Sequence, residues 1–328
     1  MALMKVQVVQ YSPTGVGIET FPSLENVTKT RSDKSQLWLD ISEYDKAEEL
    51  TPLVKAFGLH PLALDDCFNI RQRPKIDEYA ENLFVIVRTV SNKDPIYSDG
   101  FQLGIFLGKK FVITVHSRPM PQLDQVLEDM KKGEPQLVAM PSSFLMYAIL
   151  DNIVDNLEES VSKAEDMETE VGAEVLRDPP PENVLGLIYT SRRNLLLVRR
   201  LLRPQSDGVE RLMSEDCRLV DQECRVFLRD VYDHTRRTLD RIDGLLDMNI
   251  GSLNIYLSSV SNKMNDVMRL LTVISTIGML LTILVGWYGM NFHEMPEIYW
   301  TYGYTTVILI AATLTVGAIL LFKRKGWL

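Results

Sequence analysis

Two uncharged stretches near the C-terminus constrain this chain more than anything else in it. Leu270–Tyr288 and Thr301–Phe322 contain no Asp, Glu, Lys or Arg. At 19 and 22 residues, each is long enough to cross a hydrocarbon core of roughly 30 Å as a helix. The link between them, Gly289–Trp300, is too short to be a domain, so the pair reads as a helical hairpin in a membrane with both ends on one side. Lys263 and Arg269 precede the first stretch and Lys323-Arg324-Lys325 follow the second, whereas the link carries only His293, Glu294 and Glu297. The positive-inside rule therefore places both termini in the cytoplasm and the link outside. Trp287, Tyr288, Tyr299, Trp300 and Tyr302 cluster where an outer aromatic belt belongs, and Trp327 suits the inner one.

The rest of the chain reads as soluble protein. Five of the 35 basic and three of the 44 acidic residues lie beyond residue 262, so the preceding part holds 30 against 41, a net of −11. Such a surface repels nucleic acid and attracts cations, although acidity also serves plain solubility. Met1–Gly15 lack a basic segment followed by an apolar one, so no cleaved secretory signal is expected. Cys67, Cys217 and Cys224 form neither a disulfide framework nor a CxxC knuckle, and scattered thiols fit a reducing compartment.

Residues 1–120 carry strand signals at Lys5–Gln10, Gln36–Ile41, Leu83–Val90, Phe101–Leu107 and Phe111–His116. Gly108-Lys109-Lys110 reads as a tight hairpin connection, and Asp45–Phe57 and Pro61–Phe68 have helical spacing. This part is expected to be an α/β domain. Residues 121–213 read as a helical hairpin. Its first arm, Ser142–Val175, repeats apolar residues at Leu145, Ala148, Ile149, Ile153 and Leu157 and turns strongly acidic in its second half. Asp178-Pro179-Pro180-Pro181 ends it. The second arm, Glu182–Leu202, carries Arg192, Arg193, Arg199, Arg200 and Arg203, so an acidic arm is expected to face a basic one. After Arg203-Pro204 the chain restarts near Ser214, and residues 214–288 keep helical spacing without a proline for roughly 110 Å at 1.5 Å per residue. The first span occupies about 268–288 of this stalk, 289–300 form the outer loop, 301–322 the second span and 323–328 a basic tail. His60, Asp65, Asp66 and Cys67 superficially suggest a metal site, but His60-Pro61 reads as a helix start.

Within the stalk, Asp247, Gly251, Asn254, Ser258, Ser261, Asn265, Met268, Thr272, Ser275, Met279, Thr282 and Gly286 recur at alternating steps of four and three. This is a heptad stripe of small, polar or soft residues that runs on into membrane depth. Beside it lies an apolar seam, Leu246, Ile250, Leu253, Leu257, Val260, Met264, Val267 and Leu271, at the spacing by which helices pack on one another. A polar stripe at lipid depth faces either water or another helix. One hairpin cannot enclose a pore, but a ring of copies can. The hairpin occurs once, with no inverted repeat, which argues against a rocking carrier.

The first span runs into Tyr288-Gly289-Met290-Asn291-Phe292, followed by Met295-Pro296-Glu297. Together with Arg229–Thr235 (RDVYDHT), Tyr256–Lys263 (YLSSVSNK), Gln72–Lys75 (QRPK) and the basic end, these motifs resemble the CorA family of magnesium and cobalt transporters and channels over nearly the whole chain. The resemblance implies a funnel-shaped homopentamer in a cell membrane, in which the long stalk helix continues into a pore-lining first span and the second span lies outside it. It implies a selectivity filter at Gly289, Met290 and Asn291, and a pore lined by Asn265, Met268, Leu271, Thr272, Ser275, Met279, Thr282 and Gly286. Where the family pattern has an acidic residue, this chain has Asn254, which weakens cation attraction at the inner mouth.

Mg2+ dehydrates reluctantly and keeps several waters when bound. Asn291 suits a filter that touches that water shell, because its amide oxygen accepts hydrogen bonds without a full charge to trap the ion. Read without the resemblance, Gly289 to Asn291 also suit a helix C-cap. Glu294 and Glu297, repeated around a ring, concentrate cations at the outer mouth, and Met268, Leu271 and Met279 suit constrictions that close by dewetting. The resemblance further implies that Mg2+ is both substrate and regulatory ligand, with intracellular Mg2+ relieving repulsion between acidic domains. Asp230 is the foremost candidate ligand, with Asp94 and Asp99 as partners from a neighbouring subunit and Asp151 and Asp155 as further candidates. A zinc transporter of the same superfamily and a membrane-anchored sensor without flux are the competing readings. No nucleophile–base set, phosphate loop or metalloprotease signature points to an enzyme.

Overall fold

Short runs rich in Val, Ile, Leu and Phe alternate between two faces and pair into one sheet, because each face has its own apolar cover. A computed structural model describes residues 4–24, 27, 35–44, 47–69, 72–91, 100–291 and 295–327. Among the described residues, seven strands run in sequence as β1 Lys5–Ser12, β2 Gly15–Phe21, β3 Gln36–Ser42, β4 Lys75–Glu78, β5 Leu83–Thr89, β6 Phe101–Gly108 and β7 Phe111–His116. Their order across the sheet is β2-β1-β3-β7-β6-β5-β4. Only β3 and β7 pair in parallel, with Leu37 opposite Phe111, and the remaining neighbours are antiparallel. Lys109-Lys110 turn β6 into β7 as expected.

Helices α1 Thr51–Phe57 and α2 Pro61–Phe68 cover one face, packing with Val8, Leu39, Phe84, Phe106 and Ile113. Helix α1 ends at Gly58, whose φ of 68° is left-handed and whose N–H bonds the Val54 carbonyl; that conformation is open to glycine without strain. His60 caps α2, its Nδ1 accepting from the Leu62 N–H at 3.2 Å. Asp66 pairs with Lys75 at 2.6 Å and Cys67 is buried, so this cluster is structural, as the His60-Pro61 start implied.

The opposite face packs Trp38, Val85, Val87, Leu103, Ile105 and Val112 against α3 Pro121–Lys131, α5 Ser142–Val175 and α6 Val184–Leu212. A short α4 spans Pro135–Val138. Beneath these helices Trp38 Nε1 donates to Thr114 Oγ1 at 2.9 Å, Thr114 Oγ1 donates to Asp40 Oδ1 at 2.5 Å, and Asp40 Oδ1 lies 3.0 Å from His116 Nε2. The other ring nitrogen of His116 meets the Arg118 carbonyl at 2.5 Å. Both ring nitrogens thus face acceptors, an arrangement that suits the protonated imidazolium.

The structure corrects three expectations. Helix α6 does not stop at Pro204 but runs through it to Leu212. A mid-helix proline forfeits one backbone hydrogen bond and costs about 3 kcal/mol, yet Leu201, Leu202 and Val209 on either side are buried in the core, and Gln205 Nε2 donates to the carbonyls of Leu201 and Arg88, each at 2.9 Å. Packing outweighs propensity here. The next helix, α7 Gln222–Tyr288, starts at Gln222 instead of Ser214, because the intervening residues form turns such as the one closed by Cys217 N–H on the Ser214 carbonyl at 3.2 Å. Finally, two acids of α5 pair with α7 instead of with the arginines of α6: Arg241 reaches Glu158 at 3.0 Å and Glu165 at 2.8 Å, while Arg199 of α6 pairs with Asp243 of α7 at 3.0 Å.

The chain forms two compact units, one of residues 1–173 with 183–252, the other of 174–182 with 253–328. In the first, α5, α6 and α7 are tied by a buried polar node. Glu168, 2% exposed, accepts from Ser191 Oγ and, at 2.7 Å, from Asn249 Nδ2, which also bonds the Ile188 carbonyl at 3.0 Å. The second contains the last part of α7, a short turn at Pro296–Tyr299, and α8 Gly303–Arg324.

Candidate ion path and carboxylate cluster

Among the described helices, α7 and α8 are the two long and apolar enough to cross a membrane, and their apolar windows are almost wholly unburied in the single chain. The exposure that remains is not uniform around α7. Val273 is buried, and Thr276, Ile277, Leu280, Leu281, Leu284 and Tyr288 are half-buried. Asn265, Met268, Leu271, Thr272, Ser275, Met279, Thr282 and Gly286 are all exposed; Met268 and Met279 stand 60% and 67% open. At 3.6 residues per turn the two sets lie roughly 150° apart around the helix. The predicted pore residues therefore share one face, which lies within a wider uncovered arc that also holds Ile274, Ile283 and Val285.

Polar groups on that face are partly settled within the helix. Thr272 Oγ1 donates to the Met268 carbonyl at 2.7 Å and Thr282 Oγ1 to the Gly278 carbonyl at 2.8 Å. Each hydroxyl proton is thereby satisfied at membrane depth, and an oxygen lone pair is left outward for water or a hydrated ion. The helix ends at Tyr288. Gly289 follows with its N–H on the Val285 carbonyl at 2.9 Å, and it is not among the residues with positive φ. Gly289 thus closes the helix without a left-handed conformation, which is compatible with a C-cap and leaves the filter reading to be tested. A Cβ there would come within 3.1 Å of the Val285 carbonyl oxygen, a tight contact. Met290 and Asn291 are exposed beyond it. Phe292, His293 and Glu294 lie outside the described residues, as do Asp94 and Asp99; Glu297 falls in the Pro296–Tyr299 turn, with its side chain outside the description.

The first unit brings Asp151, Asp155 and Asp230 together in one chain. Asp151 and Asp155 lie one turn apart on α5, and Asp230 faces them from α7 together with His234, whose Nε2 is 3.6 Å from Asp230 Oδ1. Ligand atoms of Asp155, Glu158 and His234 all lie within 4.8 Å of one another. Asp151 is pushed up to about 6, by burial first and then by the charges of Asp155 and Asp230, against the opposing pull of the Tyr147 hydroxyl and His234. Asp155 is raised too, by burial, Glu158 and Asp230. These carboxylates make one another's charge costly, the condition a bound cation relieves. Sequence reasoning missed Glu158 and His234. Each half was legible, His234 four residues after Asp230 and Glu158 three after Asp155, both spacings that share a helix face; that the two faces meet was not.

A family profile described as CorA-like Mg2+ transporter protein matches residues 33–324. The cobalt/magnesium transport protein CorA of Thermotoga maritima is 31% identical over 99% of this chain and 92% of its own length. The structure of the CorA magnesium transporter from Methanocaldococcus jannaschii superposes with a TM-score of 0.85 at 22% identity, covering 98% of both chains. A zinc transport protein, ZntB of Yersinia pseudotuberculosis, matches at 23% identity over 98% of this chain and 96% of its own. The fold is that of a membrane transport protein, with a sheet-bearing soluble part, one long helix and a second apolar helix. The chain belongs to the CorA family, a family of transporters and not of enzymes.

Proposed function

We propose that this chain carries divalent cations, Mg2+ and also Co2+, passively across a cell membrane through a pore enclosed by five copies of itself. Both termini face the cytoplasm, and cytoplasmic Mg2+ closes the pore. The observation that carries this reading is the uncovered stripe of α7, Asn265 to Gly286, which leads to Gly289-Met290-Asn291 and lies opposite the half-buried side. Copies arranged about an axis bring these stripes together. Asn291 then presents a ring of amide oxygens to the water shell of an ion that dehydrates reluctantly. Thr272, Ser275 and Thr282 offer hydroxyl oxygens along the path, whereas Met268, Leu271 and Met279 set apolar constrictions that dewet when narrow. Glu294 and Glu297 raise the cation concentration at the outer mouth.

For regulation, the oxygen-rich donor set of Asp151, Asp155, Glu158 and Asp230 fits a hard divalent cation, with His234 as the one nitrogen beside it. Bound cytoplasmic Mg2+ offsets the cost of charge at Asp151 and Asp155, which burial and then the neighbouring acids raise, and its loss frees the acidic parts to separate. Asp94 and Asp99 remain proposed partners from a neighbouring copy. The test is ion uptake into dye-loaded proteoliposomes without internal Mg2+, with Mg2+, Co2+ and Zn2+ in parallel and wild type against Asn291→Ala. Mg2+ uptake that the substitution abolishes supports the reading. Uptake of Zn2+ alone favours the zinc reading, and no uptake by folded protein favours a sensor.

A further inference from the structure

We propose that an arginine-lined concavity in the first unit binds a soluble polyphosphate chain, carried by a nucleoside triphosphate or free. This cavity, of about 1410 Å3, is walled by Arg73 before β4, Arg88 on β5, Arg118 after β7, and Arg199, Arg200 and Arg203 on α6. Among the described residues, Asp207 is the one acid in its lining. The concentration of charge is the reverse of the net −11 carried by residues 1–262 as a whole. The basic groups of the described lining are all guanidinium and no ammonium; guanidinium is the group whose planar fork matches phosphate oxygens bidentately.

The local structure holds several of these groups in place. Arg88 Nη2 donates to the Gly100 carbonyl at 2.8 Å, Arg118 lies over the Phe101 ring at 5.5 Å, and Arg199 is paired with Asp243. Arg73, Arg200 and Arg203 are exposed, and among the described residues none has a carboxylate within ion-pair distance. Leu196, Arg199, Arg200, Arg203 and Asp207 fall on one side of α6, and its core side carries Leu195, Val198 and Leu202. Arg192 and Arg193 of α6 lie outside the concavity, but three arginines of that helix join three from the sheet side within it, where like charges strengthen one another's pull on an anion. The space exceeds what a single phosphate fills and suits a chain of several, with Phe101, Leu196 and Leu201 as the apolar part of the wall. Because bound Mg2+ cancels phosphate charge, the metal-free ligand is the one the site prefers. The site stands or falls separately from the transport reading.

The experiment is equilibrium binding of radiolabelled ATP to the full-length protein in detergent, at several buffered levels of free Mg2+. Buffering separates binding from removal of Mg2+ by chelation. Saturable binding is expected, weakening as free Mg2+ rises, competed by tripolyphosphate and not by adenosine. Competition by tripolyphosphate as strong as by ATP identifies the chain alone as the ligand, and stronger competition by ATP shows that the nucleoside contributes. The double substitution Arg200→Glu with Arg203→Glu should weaken binding at least tenfold, whereas Arg193→Glu, on the same helix outside the cavity, should leave it unchanged. If the double variant fails to fold, Arg73→Gln is measured in its place, with a severalfold loss expected. No saturable binding, binding that survives these substitutions, or binding to anionic vesicles only overturns the proposal. Occupancy of the concavity by acidic segments of a neighbouring copy registers as the first of these.

Discussion

Substituting Asp151 by asparagine tests whether burial, with the neighbouring acids, makes the charge at this position costly. Asp151 sits at about 6 instead of 3.8. Its folded value lies above its unfolded one, so the folded protein binds the proton more tightly. The resulting penalty is absent below about pH 4, grows as pH rises, and is complete above about pH 6. At about 1.4 kcal/mol per pH unit the ceiling is about 3 kcal/mol. The side chain is partly solvated, and screening reduces this to about 1 kcal/mol. The asparagine amide keeps an acceptor for the Tyr147 hydroxyl, which lies 3.4 Å from the Asp151 carboxylate. The Asp151→Asn variant should therefore unfold at a temperature higher by about 2–4 °C near pH 7.5 in the presence of chelator, and the gap should close as pH falls toward about 4. Added Mg2+ should narrow it too, because the cation neutralises in the wild type what the substitution removes. Thermal unfolding of the full-length protein in detergent, followed by intrinsic fluorescence, provides the readout. A variant less stable than wild type near neutral pH, or a gap that ignores pH, refutes the claim that the Asp151 charge is costly in the folded protein.

Three further outcomes follow from other parts of the molecule. Asp230→Lys should weaken the protection from proteolysis that Mg2+ confers, and unchanged protection removes Asp230 from the regulatory set. Glu168→Ala leaves the buried Ser191 hydroxyl without its acceptor and should cost about 2–4 kcal/mol in urea unfolding, with Glu168→Gln costing less; equal losses contradict the account of the node. Burial opposes the charge on His116, but the hydrogen bond and charge of Asp40 outweigh it and raise its pKa. That stabilisation is complete below the unfolded value of about 6.5 and lost as pH rises through the folded one. Asp40→Asn should lower the His116 titration midpoint seen by NMR and flatten this pH dependence.

Strands whose apolar residues are buried on both faces, such as β5 to β7, were legible from sequence because their composition is nearly all Val, Ile, Leu and Phe. Strands β2 and β4 were not. Both are edge strands with one neighbour each; GVGIETF is mostly exposed and KIDE is four residues long. Short, charged, weakly patterned edges carry little periodic signal and protect a sheet from further pairing. The bounds of α5 were readable because Pro141 and the Pro179–Pro181 run bracket it. The end of α6 was not, because tertiary packing around Pro204 overrode a local rule. In the candidate site, the heptad stripe is a pattern within one helix and so visible in one sequence. The grouping of Asp155, Glu158 and His234 depends on which face α5 turns to α7, and the concavity on which strands end beside α6; neither is written in local periodicity.

The central claim is that the Met268–Gly286 stripe of α7 faces an aqueous path in the assembled protein. Cysteine scanning along α7 tests it directly, because Cys67, Cys217 and Cys224 are all buried and leave a quiet background. Single cysteines at Met268, Thr272, Ser275, Met279 and Thr282 should react with a charged methanethiosulfonate and lose Mg2+ uptake on modification, whereas those at Val273, Ile277, Leu280 and Leu284 should do neither. Reaction and block on the second set, or the absence of any periodic pattern, contradicts the account.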